Sequence, residues 1–214
     1  SDATADVSSG ARWVGLIVST LGSIFLSGIL ISTITNSFER MSDNWRSGFS
    51  YYKLKNHIVI IGTDQMVYGL VNQLCESSNR SIVVMTSTNV EQMRNALWAS
   101  LKNKRDRNRI VVNYGHRNSE IFLKKINVAY ASEVYLLGDT SEFDNIESYH
   151  DSLNVQSLTL IAQQCKAIGR TDRLKCHVLF DCKTTYHIFQ YADLNSEITK
   201  YIDFHPFNFY DFWA

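Results

Sequence analysis

Residues Ile58 to Gly69 read IVIIGTDQMVYG: branched apolar residues, then a glycine, then apolar residues at helical spacing. This is how a buried strand turns sharply into a helix at the start of a nucleotide-binding βα unit. Of the three glycines in the G-x-G-x-x-G fingerprint only the first is present, at Gly62, while Asp64 and Val67 stand at the second and third positions. Those glycines respectively permit the tight turn, the close approach of backbone to pyrophosphate, and close packing of helix on strand. Only the first task is provided for. At the second position Asp64 sets a carboxylate where phosphate oxygens would sit, and like charges about 4 Å apart repel by roughly 4 kcal/mol at an effective dielectric near 20. The next strand ends Met85, Thr86, Ser87, Thr88, without the acidic residue that grips ribose hydroxyls. NAD is therefore disfavoured. Asp64 has three readings: a cap for the helix beginning near Gln65, contributing about 1 kcal/mol; a cation ligand, for Ca²⁺ for example, together with Asp139; or the border of a nucleotide held in an altered pose. Gly62, Asp64, Thr86 and Asp139 are the candidate crevice residues, with Asp64 and Asp139 as candidate metal ligands.

Beyond this unit the same alternation continues. HIVIIG (57–62), SIVVMT (81–86), RIVVNYG (109–115), SEVYLLGD (132–139) and KCHVLFD (175–181) read as strands buried on both faces, and a further strand near Lys200 to Phe204 precedes the only proline, Pro206. QMVYGLVNQLCES, NVEQMRNALWASLKNK, SEIFLKKINVA and LNVQSLTLIAQQCKAIG between them place apolar residues at helical spacing. The pattern predicts an α/β domain over 57–214, a doubly wound, Rossmann-like parallel sheet with its ligand crevice at the carboxyl ends of the strands. Asp139 and Asp181 close strands at that edge, where each could meet a cation or small ligand or merely face solvent. His116 and Arg117 follow the third strand, with a solvated loop as the expectation and an anionic effector as the alternative. The run KNKRDRNR, 102–109, reads as a solvated helix end and turn. Neither a Ser-His-Asp order, a Cys-His pair nor paired carboxylates stand in a context that supports catalysis.

Upstream, WVGLIVSTLGSIFLSGILISTITNSF, Trp13 to Phe38, contains no Asp, Glu, Lys or Arg. As a helix of about 26 residues it would span about 39 Å, more than the roughly 30 Å of a bilayer's hydrocarbon. A signal peptide would be shorter and preceded by a basic region, and a soluble core helix this long would show a charged face. The reading is one transmembrane helix over 12–40, with 1–11 on its extracytoplasmic side and a linker at 41–56. Arg40, Arg46, Lys53 and Lys55 follow it, whereas Asp2, Asp6 and Arg12 precede it, which predicts a cytoplasmic C-terminal domain. Gly15, Ser19, Ser23 and Ser27 recur every four residues, with Gly28 close by; the stripe fits close helix packing in lipid or the lining of a pore. Either use implies neighbouring helices.

Composition excludes other classes. The 214 residues carry 21 Lys plus Arg against 21 Asp plus Glu, a balance that gives no drive towards nucleic acid. Cys75, Cys165, Cys176 and Cys182 lack paired C-x-x-C spacing and read as reduced thiols.

The order of these parts is more specific than any one of them. An uncharged helix ending ILISTITNSFERMSDNWRSG, then YYKLKNHIVIIGTDQ, then NYGHRNSEIFLKKINVAYASEVYLLGD, HDSLNVQSLTLIA and FHPFNFYDFWA, resembles ion channels with a cytosolic RCK domain of the TrkA-N type. Within them the chain is most similar to the branch containing the Castor and Pollux channels. The resemblance runs from about Arg12 to Ala214 and implies a pore-lining inner helix, a potassium-type permeant cation, a homotetramer in the membrane, and a gating ring that answers a small-molecule or ion effector. It also implies a fragment, lacking the filter upstream and a second lobe downstream. Two rivals differ in class: a membrane-anchored Rossmann NAD(P)-dependent oxidoreductase or nucleotide-sugar enzyme, and a noncatalytic interaction module on a lone anchor.

Overall fold

The computed structural model describes residues 9–46, 53–138, 147–191 and 196–208, and the chain divides into two units, Ser1–Trp45 and Arg46–Ala214. The described residues of the first form one helix, α1 (Ser9–Arg46), whose 38 residues correspond to about 57 Å. It runs past the expected end at residue 40 because neither glycine nor proline interrupts 29–47. Trp13–Ser37 has a mean hydropathy of 2.2 and is long and apolar enough to cross a membrane. Four of its hydroxyls turn back on their own helix: Thr20 donates to the Leu16 carbonyl, Ser23 to Ser19, Thr33 to Ile29 and Ser37 to Thr33, at 2.8–2.9 Å. Those bonds satisfy these four hydroxyls without water, as an apolar surrounding requires.

In the second unit six strands, β1 (Ile58–Ile61), β2 (Ile82–Thr86), β3 (Ile110–Tyr114), β4 (Glu133–Leu136), β5 (Leu174–Leu179) and β6 (Ile202–Phe207), form one parallel sheet in the order β3-β2-β1-β4-β5-β6. The order reverses between β1 and β4, and that switch point is where a doubly wound sheet opens its crevice. One face carries Ile58, Ile60, Ile82, Val84, Ile110 and Val112 under α2 (Val67–Ser77) and α3 (Val90–Ser100). The other carries Val59, Val83, Val134, Cys176 and Val178 under α4 (Glu120–Lys125), α5 (Glu147–Ala167), α6 (Lys183–Tyr191) and α7 (Ser196–Thr199).

Strands β1 and β2 are buried at every position, which is why they read as unbroken apolar runs. Strand β4 and most of β5 alternate instead, β6 is largely half-buried, and Tyr135, His177 and His205 stack across the register at centroid separations of 4.6 and 5.1 Å. Burial and the neighbouring Glu133 push the Tyr135 phenol up to about 12.

Four local expectations are corrected. The helix expected over 119–129 stops at Lys125, because Asn127 turns left-handed (φ 55°) and a 3₁₀ turn, Val128–Tyr130, follows. Helix α5 begins at Glu147 rather than Leu153. Pro206 lies inside β6, paired with Val178, and not beyond it; an edge strand tolerates a residue without an N–H. Helices α6 and α7 were not anticipated. In KTTYHIFQY only Tyr186 is fully buried, so the apolar spacing that announces a helix is faint.

Candidate functional site

At the carboxyl edge β1 ends in Gly62 (φ 97°) and β4 runs out into Gly138 (φ 84°). The amides of Leu137 and Gly138 both donate to the Ile61 carbonyl, at 2.9 and 3.2 Å. A Cβ at Gly62 would overlap the backbone of Gly138, and one at Gly138 would overlap His150 Nε2 and Arg117 Nη1. Both glycines are thus required by dihedral and by space. Gly62 performs the tight turn expected of it, and the space next to it is taken by the protein itself.

Asp64 behaves differently from the cap expected at Gln65. Helix α2 starts at Val67, its N-cap is Met66 with no side-chain bond, and Asp64 Oδ1 accepts the Gln65 amide at 2.5 Å while its carbonyl accepts Val67 N–H at 2.9 Å. The carboxylate closes the turn before the helix. Thr86, at the end of β2 where a ribose-gripping acid was sought, is buried, with its hydroxyl 3.3 Å from Thr63 Oγ1 and 2.8 Å from Thr88 Oγ1. Gly62, Asp64 and Thr86 therefore gather at one edge. Asp139 lies outside the described residues. Among those described, no group of three or more His, Cys, Asp or Glu side chains could hold a metal ion.

Sequence reasoning missed the polar cluster that fills this edge. Arg117, expected in a solvated loop, is 4% exposed. Its Nη1 donates to Asn154 Oδ1 at 2.8 Å, while Asn154 Nδ2 donates to the Leu179 carbonyl at 2.8 Å. The Ser157 hydroxyl reaches the Arg117 carbonyl at 3.0 Å. His150 Nε2 is 3.0 Å from the Leu137 carbonyl, which makes that nitrogen the donor. Its Nδ1 lies 3.2 Å from Asp181 Oδ2 and 3.5 Å from Asp151 Oδ1, within ion-pair reach but outside hydrogen-bond alignment. Asp151, buried, accepts the amides of Asp181 and Cys182 at 2.8 and 3.1 Å and so caps the entry to α6 from a neighbouring helix. Hydrogen bonds from Thr185, with backbone help from Thr184, hold the Cys182 thiol below its ordinary value.

The signal was present but ambiguous. His150, Asp151, Asn154 and Ser157 lie at i, i+1, i+4 and i+7 of α5, a polar stripe that reads as a solvent face until the fold turns it inward. Such a network ties the strand ends together, although His150 Nδ1 makes no hydrogen bond among the described residues, and removing Asn154 or Asp151 would leave buried polar groups unsatisfied. His116 instead packs edge-on against Tyr114 and Phe122.

The remaining candidates lie away from this edge. In the 102–109 run, Arg109 is not solvated: it bonds Asp106 at 2.9 Å and the carbonyls of Ser78 and Arg80, tying the 3₁₀ turn Lys104–Arg109 to the end of α2. Arg107 lies over the Trp98 ring. All four cysteines are free, and burial pushes Cys165 up to about 11. Ser19, Ser23, Ser27 and Gly28 lie on exposed α1.

Comparison with known proteins agrees with this geometry. The family model described as the calcium-activated potassium channel slowpoke-like RCK domain matches residues 53–172. No curated protein matches the sequence. Among solved structures, a GsuK channel bound to NAD is 19% identical at a TM-score of 0.52, over 86% of this chain and 30% of that one. GsuK bound to ADP is likewise 19% identical, at a TM-score of 0.53, over 94% of this chain and 46% of that one. At such identities the likeness is one of fold, and this chain spans less than half the length of those two channel chains. The family match covers more than half of the sequence, across β1 to β4 and α5: the chain belongs to the slowpoke-like RCK domain family.

Proposed function

We propose that the chain is part of a potassium-channel subunit in which α1 is the pore-lining inner helix and residues 57–214 form a cytoplasmic regulatory lobe. The observation that carries this reading is the joining, in one chain, of an RCK domain to a helix of membrane-crossing length directly before it. The resemblance noted at ILISTITNSFER and FHPFNFYDFWA supports the Castor- and Pollux-like branch, and a homotetramer around one pore is the assembly to expect. The stripe Ser19, Ser23, Ser27 and Gly28 then packs against neighbouring helices or lines the pore. An effector that binds two arrangements of the lobe unequally would bias the helix through the linker at 41–56.

For the crevice we propose that NAD is not the occupant, in contrast to the NAD-bound GsuK channel. Asp64 beside Gly62, hydroxyls in place of an acid at Thr86, and protein groups against Gly138 all support that reading. Asp64 with Asp139 is the candidate cation pair, and Ca²⁺ the cation to try. No observation favours the oxidoreductase or nucleotide-sugar alternative over this reading.

The test is a planar-bilayer recording of the full-length protein that contains this chain, under a potassium gradient. A potassium-selective current whose open probability changes when Ca²⁺ is added on the side of the RCK domain is expected. Absence of any current, or a current indifferent to deletion of 57–214, would contradict the proposal.

A further inference from the structure

Where the chain enters the regulatory domain, residues 54–57 are fastened to the turn between α4 and β4. Asn127 Nδ2 donates to the Leu54 carbonyl at 2.7 Å, and the Asn56 amide donates to the Tyr130 carbonyl at 2.9 Å. Ser132 donates twice to the His57 carbonyl, from its amide at 2.8 Å and its hydroxyl at 3.0 Å. Asn56 and Asn127 both adopt left-handed backbone, φ 54° and 55°, so the two segments fit each other through local turns that few side chains accept. Lys55 Nζ lies over the Tyr130 ring, 5.3 Å from its centroid.

His57 stands at the centre of this strap and is 1% exposed. Its Nε2 is 3.0 Å from the Ile126 carbonyl and therefore carries the proton. Among the described residues Nδ1 has no hydrogen-bond partner. The neutral ring is thus satisfied at one nitrogen and buried without a hydrogen bond at the other. A second proton, on Nδ1, would be a buried charge with nothing to accept it. The charged groups on the elements around it do not help. Lys55 is on the strap itself, and Lys125 flanks Ile126, its Nζ over Phe122. Arg170, from beyond α5, donates to the Ala129 and Ala131 carbonyls at 2.8 Å and is paired with Asp172 at 2.7 Å. Glu133, next to Ser132, is engaged by His177 at 2.8 Å, and Arg80 adjoins Ser81, whose carbonyl accepts the Ile58 amide.

We propose that His57 makes the attachment of the linker to the domain acid-sensitive: neutral, it fastens residues 54–57 to the 126–132 turn; protonated, it releases them. The inference rests on the regulatory reading only for its consequence, since a strap that loosens at the point of entry would weaken transmission between lobe and inner helix. The direction follows from linkage. Burial lowers His57 below the ordinary histidine value near 6.5, with the Ile126 carbonyl acting in the opposite sense. A histidine depressed in the folded state stabilises fully above its unfolded value, and that contribution is lost as pH falls from there towards the folded value.

The experiment is hydrogen exchange on the whole 214-residue chain in detergent, followed by mass spectrometry at pH 7.5 and pH 5.0 and corrected for intrinsic exchange rates. Peptides covering 54–58 and 126–132 should lose protection by about tenfold or more relative to β2 and β3 at the lower pH. In His57→Gln, whose amide nitrogen can replace Nε2 without titrating, the two segments should keep equal relative protection at both values. Retained protection at pH 5.0 in the unsubstituted chain, or the same loss in His57→Gln, would overturn the proposal. This readout needs no conductance, so failure of the channel reading would leave its outcome unaffected.

Discussion

The two ends of the sheet are built differently. At the carboxyl edge Gly62 and Gly138 bring β1 and β4 together, and Arg117, His150, Asn154 and Asp151 bond to one another or to strand-end backbone beside them. At the amino edge, the 54–57 strap is held by a few hydrogen bonds from one turn, around a histidine with one nitrogen satisfied. Doubly wound folds conventionally place their ligand at the first edge and little at the second. Here the first edge carries the protein's own polar groups, while the second, where the chain enters the domain, is the one proposed to loosen. Each edge holds a histidine with one nitrogen outside any hydrogen bond among the described residues, but His150 Nδ1 faces the carboxylates of Asp181 and Asp151, which favour a second proton, whereas His57 Nδ1 has no acceptor for one.

Substitutions at the two edges should separate them by size of effect. Gly138→Ala places a Cβ into His150 and Arg117 and asks alanine for φ 84°, so it should cost the domain more than about 3 kcal/mol in denaturant unfolding. A loss below 1 kcal/mol would mean the carboxyl edge is looser than its packing suggests. Asn127→Ala should cost less, about 1–2 kcal/mol, from one lost hydrogen bond to Leu54 and a left-handed alanine. Equal losses at the two positions would break the comparison.

Much of the architecture was legible because β1 and β2 are buried on both faces and every residue announces it. Gly62 was legible for the same reason: only a glycine ends that run. What sequence could not show was the direction of polar side chains. Arg117 looks like a loop arginine and Asn154 like part of a solvated stripe, until β3 and α5 are brought together and each becomes the other's partner. The strap at 54–57 was hidden differently, since its bonds join residues about seventy apart and use backbone carbonyls that carry no sequence signature. Asp64 marks the middle ground. Its carboxylate does accept a backbone N–H, but in the turn before α2 rather than as the cap of the helix, because helix geometry begins only at Val67.

The central proposal is that this Rossmann-like RCK domain does not hold NAD at its carboxyl edge. Isothermal calorimetry of the whole chain in detergent, titrated with NAD⁺ at neutral pH, tests it most directly. No saturable heat is predicted, because Asp64 meets the pyrophosphate and no acid meets the ribose; a saturable one-to-one isotherm would contradict it.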